Sequence, residues 1–83
     1  MGYQLVVPKS VQKEIEKIDN RYKQRILAAL VSLEKDPFLG KKLGGARKYE
    51  RSYEVWPYRI IYHIKESELI ILVVKVGHRQ GVY

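Results

Sequence analysis

Apolar positions along this chain change period once, close to residue 49. The opening stretch Tyr3–Val7, YQLVV, alternates, so Tyr3, Leu5 and Val7 share one face of a short strand that Pro8 closes. Val11, Ile15 and Ile18 then recur at helical spacing, with Ser10 as the expected N-cap and Lys13, Glu14, Glu16 and Lys17 on the other face. Asp19-Asn20 separates this helix from a second, RYKQRILAALVSLEK, whose stripe is Tyr22, Ile26, Leu30 and Leu33 with Ala29 beside it. So short a link predicts an antiparallel helical hairpin. Asp36-Pro37 ends it.

The segment LGKKLGGARK (39–48) reads as a loop. From Tyr49 the period is two. Strands are expected over 50–55, 58–64 and 69–76, divided by Trp56-Pro57 and by the polar turn KESE. Connections this short predict an antiparallel meander. The last run, LIILVVKV, is apolar on both faces, which predicts a central strand covered twice, with YQLVV along its free edge. The expected fold is α+β in the order β-α-α-β-β-β. A four-stranded, mainly antiparallel sheet carries the N-terminal helical hairpin on one face, and its other face forms a groove.

With 83 residues the chain fits a single small domain, residues 1–83. Its lack of cysteine removes disulfides and thiolate metal sites, and two histidines without a nearby acidic cluster suggest no metal centre. The N-terminal stretch carries no leader pattern, and no apolar run approaches the roughly 20 residues of a membrane span. A soluble, cytoplasmic protein without cofactor is expected. Net charge is +7 and unevenly spread: seven Lys/Arg face five Asp/Glu in residues 1–40, nine face four in residues 41–83. Such a footprint suits nucleic acid, by replacing phosphate counterions, or an acidic protein partner.

Three glycines and four cations (Lys41, Lys42, Arg47, Lys48) make the loop 39–48 a basic rim, but GKKLGG is neither a P-loop nor a dinucleotide fingerprint. In YRIIYHI, Arg59, Ile61 and His63 share a face. A guanidinium on a strand inside a sheet needs a solvated concavity or a carboxylate, and Glu54 on the preceding strand is available. The tail VGHRQGVY follows the last strand, with Gly77 expected to release it. It brings Arg79 toward Arg59, a convergence that an anion such as phosphate compensates, and it offers Tyr83 for stacking on an unpaired base. His63 reads as structural, whereas His78 lies beside Arg79 and is a candidate for proton transfer. Trp56 packs over the hairpin or contacts a partner or a base. A metal-free reaction open to such a site is attack of an RNA 2′-hydroxyl on its own phosphate, which needs in-line alignment, charge stabilisation and proton transfer.

The opening strand, helical hairpin, basic loop ending in KLGG, PYRIIYHI and the ending LVVKVGHRQGVY together resemble the RelE/ParE superfamily of toxins from type II toxin–antitoxin systems, over essentially the whole chain. YRIIY with VGHR…VY is more similar to the RelE branch. That resemblance implies a ribosome-dependent endoribonuclease that cuts mRNA and inhibits translation. Arg59 would stabilise the scissile phosphate, Arg79 would assist the leaving group and Tyr83 would stack on the nucleotide. Lys48, Arg51 and His78 are candidate acid–base groups, and Lys41, Lys42, Arg47, Lys48 and Arg51 candidate RNA contacts. The implied partners are a RelB-like, acidic, partly disordered antitoxin, the ribosome and mRNA, and operator DNA through the antitoxin complex, with no membrane. The alternatives are a ParE-type, non-nucleolytic inhibitor of DNA gyrase, or a weakly active toxin working mainly in an autorepressor complex. Two features depart from the family: Ser52 and Glu54 stand where members carry basic residues, and Trp56-Pro57 replaces a Gly-Asp turn.

Overall fold

The structure, a computed structural model, describes residues 2–80. Strand β1 (Gln4–Val6) leads to helices α1 (Lys9–Glu16) and α2 (Asn20–Lys35). A two-residue strand β2 (Lys41–Lys42) follows, then β3 (Glu50–Val55), β4 (Tyr58–Lys65) and β5 (Ile70–His78). The sheet order is β1-β5-β4-β3-β2, with β1 parallel to β5 and the other pairs antiparallel.

The helix boundaries follow local chemistry. Ser10 is not a cap: α1 starts at Lys9, two residues earlier than a Ser10 cap would set it, and the carbonyl of Pro8, a residue with φ already fixed near helical values, accepts from Val11 and Gln12 N–H at 3.0 and 2.9 Å. Asp19 does cap α2, its carboxylate accepting from Arg21 N–H at 3.0 Å. Val11 and Ile15 of α1 join Ile26, Ala29, Leu30 and Leu33 of α2 in one core with Ile60, Tyr62, Ile71, Val73 and Val76 of the sheet.

Three sheet expectations change. There are five strands, not four, because Lys41 and Lys42 pair with Ser52 and Arg51 at the edge of what reads as a loop. The last strand starts at Ile70, since Leu69 adopts the left-handed conformation (φ 55°), and it runs through Gly77 and His78. Gly77 therefore pairs with Arg59 inside the sheet rather than releasing the tail. Finally, β5 is central but covered fully on one face only. Its register with β4 jumps from Lys75 to Val73 between Ile61 and Tyr62. Val74 is passed over there and remains 39% exposed. Among the described residues no helix is long and apolar enough to cross a membrane.

Candidate nucleic-acid interface

Alternation along β4 sends Tyr58, Ile60 and Tyr62 toward the helices and leaves Arg59, Ile61 and His63 on the opposite face. Register then fixes Arg59's neighbours. Glu54 of β3 lies directly opposite it on one side and Gly77 of β5 on the other. One step along, Ile61 faces Ser52, and Ser52 faces Lys41 of β2. The edge strand thus brings an ammonium group to the face that carries Arg59, next to the strand position where Ser52 offers none. The resulting open groove, about 520 Å³, is lined by Lys41, Lys42, Ser52, Glu54 and Arg59 among others.

Trp56-Pro57 forms a two-residue hairpin turn between the paired residues Val55 and Tyr58, and its peptide is cis. The turn receives the tail. Arg79 N–H donates to Pro57 carbonyl oxygen at 2.8 Å, one step past the last strand pair. The Arg79 guanidinium lies over the Trp56 ring, 4.5 Å from its centroid, and its Nε sits 3.7 Å from a carboxylate oxygen of Glu54. That distance is an ion pair rather than a hydrogen bond. Glu54 therefore stands opposite Arg59 in register while its carboxylate lies beside the Arg79 guanidinium, so the carboxylate available to Arg59 is ion-paired with Arg79. The pairing of Glu54 with Arg79 has no sequence-local signal, because it depends on where the hairpin turn meets the tail.

The remaining candidates divide. His78 pairs with Tyr58 and so lies on the helix face, opposite to Arg59. Its ring meets Tyr58 edge-on at 5.8 Å, and Nδ1 accepts from Gln80 N–H at 3.3 Å. Arg51 also faces the helix side, donating to Gly40 carbonyl oxygen at 2.7 Å and lying over Phe38. Arg47 is ion-paired with Glu50 at 2.7 Å. Lys48 lies over the exposed Tyr49 ring at 5.2 Å, and His63 sits 6.4 Å from that ring. Tyr83 lies outside the described residues.

A core residue of β4 holds the rim in place. The Tyr62 hydroxyl donates to Pro37 carbonyl oxygen at 2.7 Å and accepts from Gly40 N–H at 2.8 Å. The fit is close: a Cβ at Gly40 would lie 2.5 Å from that hydroxyl oxygen. Burial pushes the phenol above its ordinary value, partly offset by the Gly40 N–H and the Arg51 charge. Tyr62 and Arg51 thus grip both sides of Gly40, immediately before Lys41 and Lys42.

Chemically, this is a cation-lined, solvent-open face on which Glu54 stands opposite Arg59 in register and ion-paired with Arg79. Among the described residues no three His, Asp or Glu side chains gather in a metal-holding cluster.

Residues 5–83 match the family model described as the ParE toxin of the type II toxin–antitoxin system parDE. Solved structures share the fold. The toxin–antitoxin complex RelBE2 of Mycobacterium tuberculosis matches with a TM-score of 0.87 at 20% identity, over 95% of this chain and 100% of that one. The archaeal RelE–RelB complex of Pyrococcus horikoshii matches with a TM-score of 0.77 at 26% identity, over the full length of both chains. The YoeB/ParE toxin of Agrobacterium tumefaciens gives 0.78 at 20% identity, over 92% of this chain and 98% of its own. No curated protein matches the sequence.

Proposed function

The chain belongs to the RelE/ParE superfamily of toxins from type II toxin–antitoxin systems, and from that premise we propose that it is a metal-independent endoribonuclease that cuts mRNA on the ribosome. The observation that supports this reading is Glu54, opposite Arg59 in register and ion-paired with Arg79, beside a groove lined by Lys41, Lys42 and Arg59. In the proposed reaction the RNA 2′-oxygen attacks the adjacent phosphorus and the bond to the 5′-oxygen breaks. This leaves a 2′,3′-cyclic phosphate and a 5′-hydroxyl, with one proton removed from the nucleophile and one delivered to the leaving oxygen. Arg59 takes the charge that develops on the phosphoryl oxygens, Arg79 stabilises the leaving oxygen and Tyr83 orients a base. The ribosome presents the single strand in line.

A RelB-like antitoxin of acidic character is the proposed partner. The net charge of +7 suits it, and the M. tuberculosis, P. horikoshii and Escherichia coli relatives were solved as complexes of toxin and antitoxin. A second reading, a non-nucleolytic inhibitor of DNA gyrase, is favoured by Ser52 and Glu54 on the strand that faces Arg59.

Primer extension on a defined mRNA, translated with and without purified protein, separates the two. Ribosome-dependent cuts that vanish with Arg79→Ala are expected. Intact mRNA with accumulating cleaved DNA–gyrase complexes overturns the nuclease in favour of the second reading. Intact mRNA and DNA with operator binding by a toxin–antitoxin complex leaves an autorepressor as the role.

A further inference from the structure

The chain's only tryptophan is spent on a hairpin turn, 59% exposed. An indole in that position leaves most of a large aromatic surface in water, where burial elsewhere would have been favourable. Its surroundings are connected. One face is backed by the Arg79 guanidinium at 4.5 Å, Arg79 is tied through its own N–H to Pro57, and Glu54 holds the guanidinium from the groove side. Trp56 is two residues from Glu54, the residue opposite Arg59. The ring therefore stands on the turn between β3 and β4, against the guanidinium that Glu54 holds.

We infer that Trp56 is a nucleobase platform: a base flanking the phosphate held by Arg59 and Arg79 stacks on the ring face opposite Arg79. Aromatic side chains bind unpaired bases in this way with little regard to sequence, and a guanidinium on the far face adds to the attraction. The platform selects single-stranded RNA, whose bases are available to stack, over a duplex of equal charge. It also fixes the strand's register, so that the phosphate next to the stacked base falls between the two arginines. The inference rests on the RNA reading above and adds to it a residue that acts on the base rather than on the phosphate.

A single tryptophan makes the test direct. Full-length protein is titrated with a short single-stranded 2′-O-methyl RNA, which resists self-cleavage, and with the same strand made wholly abasic. The base-bearing strand is expected to quench the intrinsic fluorescence saturably, and the abasic strand to leave it nearly unchanged. Anisotropy with a labelled strand should show Trp56→Leu binding about tenfold more weakly and Trp56→Phe close to the parent. Equal quenching by the two strands, equal affinity of Trp56→Leu, or no binding of either strand overturns the platform. The first comparison needs no variant, so a misfolded mutant does not blur it. Cleavage in the primer-extension assay without base-dependent quenching would sink the platform and leave the nuclease standing. Loss of cleavage with intact base-dependent quenching would do the reverse.

Discussion

Glu54 and Arg79 meet at 3.7 Å across the mouth of the groove, although they come from opposite ends of the β3–β4–β5 meander. The contact is made because Arg79 is hydrogen-bonded to the turn that follows Glu54 by two residues. The carboxylate therefore neutralises cationic charge where the proposed function puts a phosphate.

Replacing that carboxylate tests the competition. Glu54→Gln should tighten single-stranded RNA binding by up to about fivefold, the ceiling for a solvent-exposed ion pair worth at most ~1 kcal/mol. Glu54→Lys should tighten it further and raise cleavage, because it also adds a cation. Anisotropy and primer extension measure the two effects. Unchanged or lower activity in a folded Glu54→Lys protein would sink the competition.

Arg59 should be sensitive to shape as well as charge. Arg59→Ala is expected to lower the cleavage rate by roughly 100-fold or more, the usual cost of one donor to a developing oxyanion. Arg59→Lys should recover little, since an ammonium lacks the planar fork. Single-turnover cleavage on programmed ribosomes reads both, and full recovery by lysine would argue against bidentate phosphate contact.

Tyr62 controls stability and the rim together. Tyr62→Phe strands the buried Gly40 N–H and Pro37 carbonyl, at a cost of about 1–3 kcal/mol in denaturant unfolding. Burial holds the folded-state pKa above the ordinary value near 10. The unfolded chain therefore releases this proton first as pH rises. Stability from the neutral phenol is fully present below about pH 10 and is lost from there up through the folded pKa. Urea midpoints taken above pH 10 should fall more steeply for the parent than for Tyr62→Phe. Parallel curves would show that another group governs the alkaline limb.

Lys41 and Lys42 should act through salt dependence. Each phosphate contact removed lowers the slope of log K against log salt by about 0.7 for a single strand. Lys41→Ala, on the Arg59 face, is expected to show that change. Lys48→Ala, out on the exposed Tyr49, should change the slope less. Titrations at several salt concentrations decide between them.

The two helices, the three long strands and the side of β4 that carries Arg59 were legible in the sequence, because each rests on a local period that packing then reinforces. Ile26, Leu30 and Leu33 mark α2's buried stripe by spacing alone, and alternation alone separates Arg59 from Tyr58 and Tyr62. β2 was not legible. Two lysines between glycines carry no apolar signal, and they become a strand only because Tyr62 and Arg51 pin Gly40 beside β3. His78 was misplaced for a related reason. A strand longer by two residues, with a register jump at Val74, turns it toward Tyr58 and the helices.

Hydrophobic periodicity, set by which residues must leave water, determined the fold class, the helical hairpin and the presence of Arg59 and Arg79 at one end of the sheet. Only the tertiary structure decided what those arginines meet. Strand register, the Trp56-Pro57 turn and the edge strand place Glu54 opposite Arg59 and beside Arg79, Trp56 under Arg79 and Lys41 beside Ser52. These are contacts between segments distant along the chain, and no local pattern encodes them.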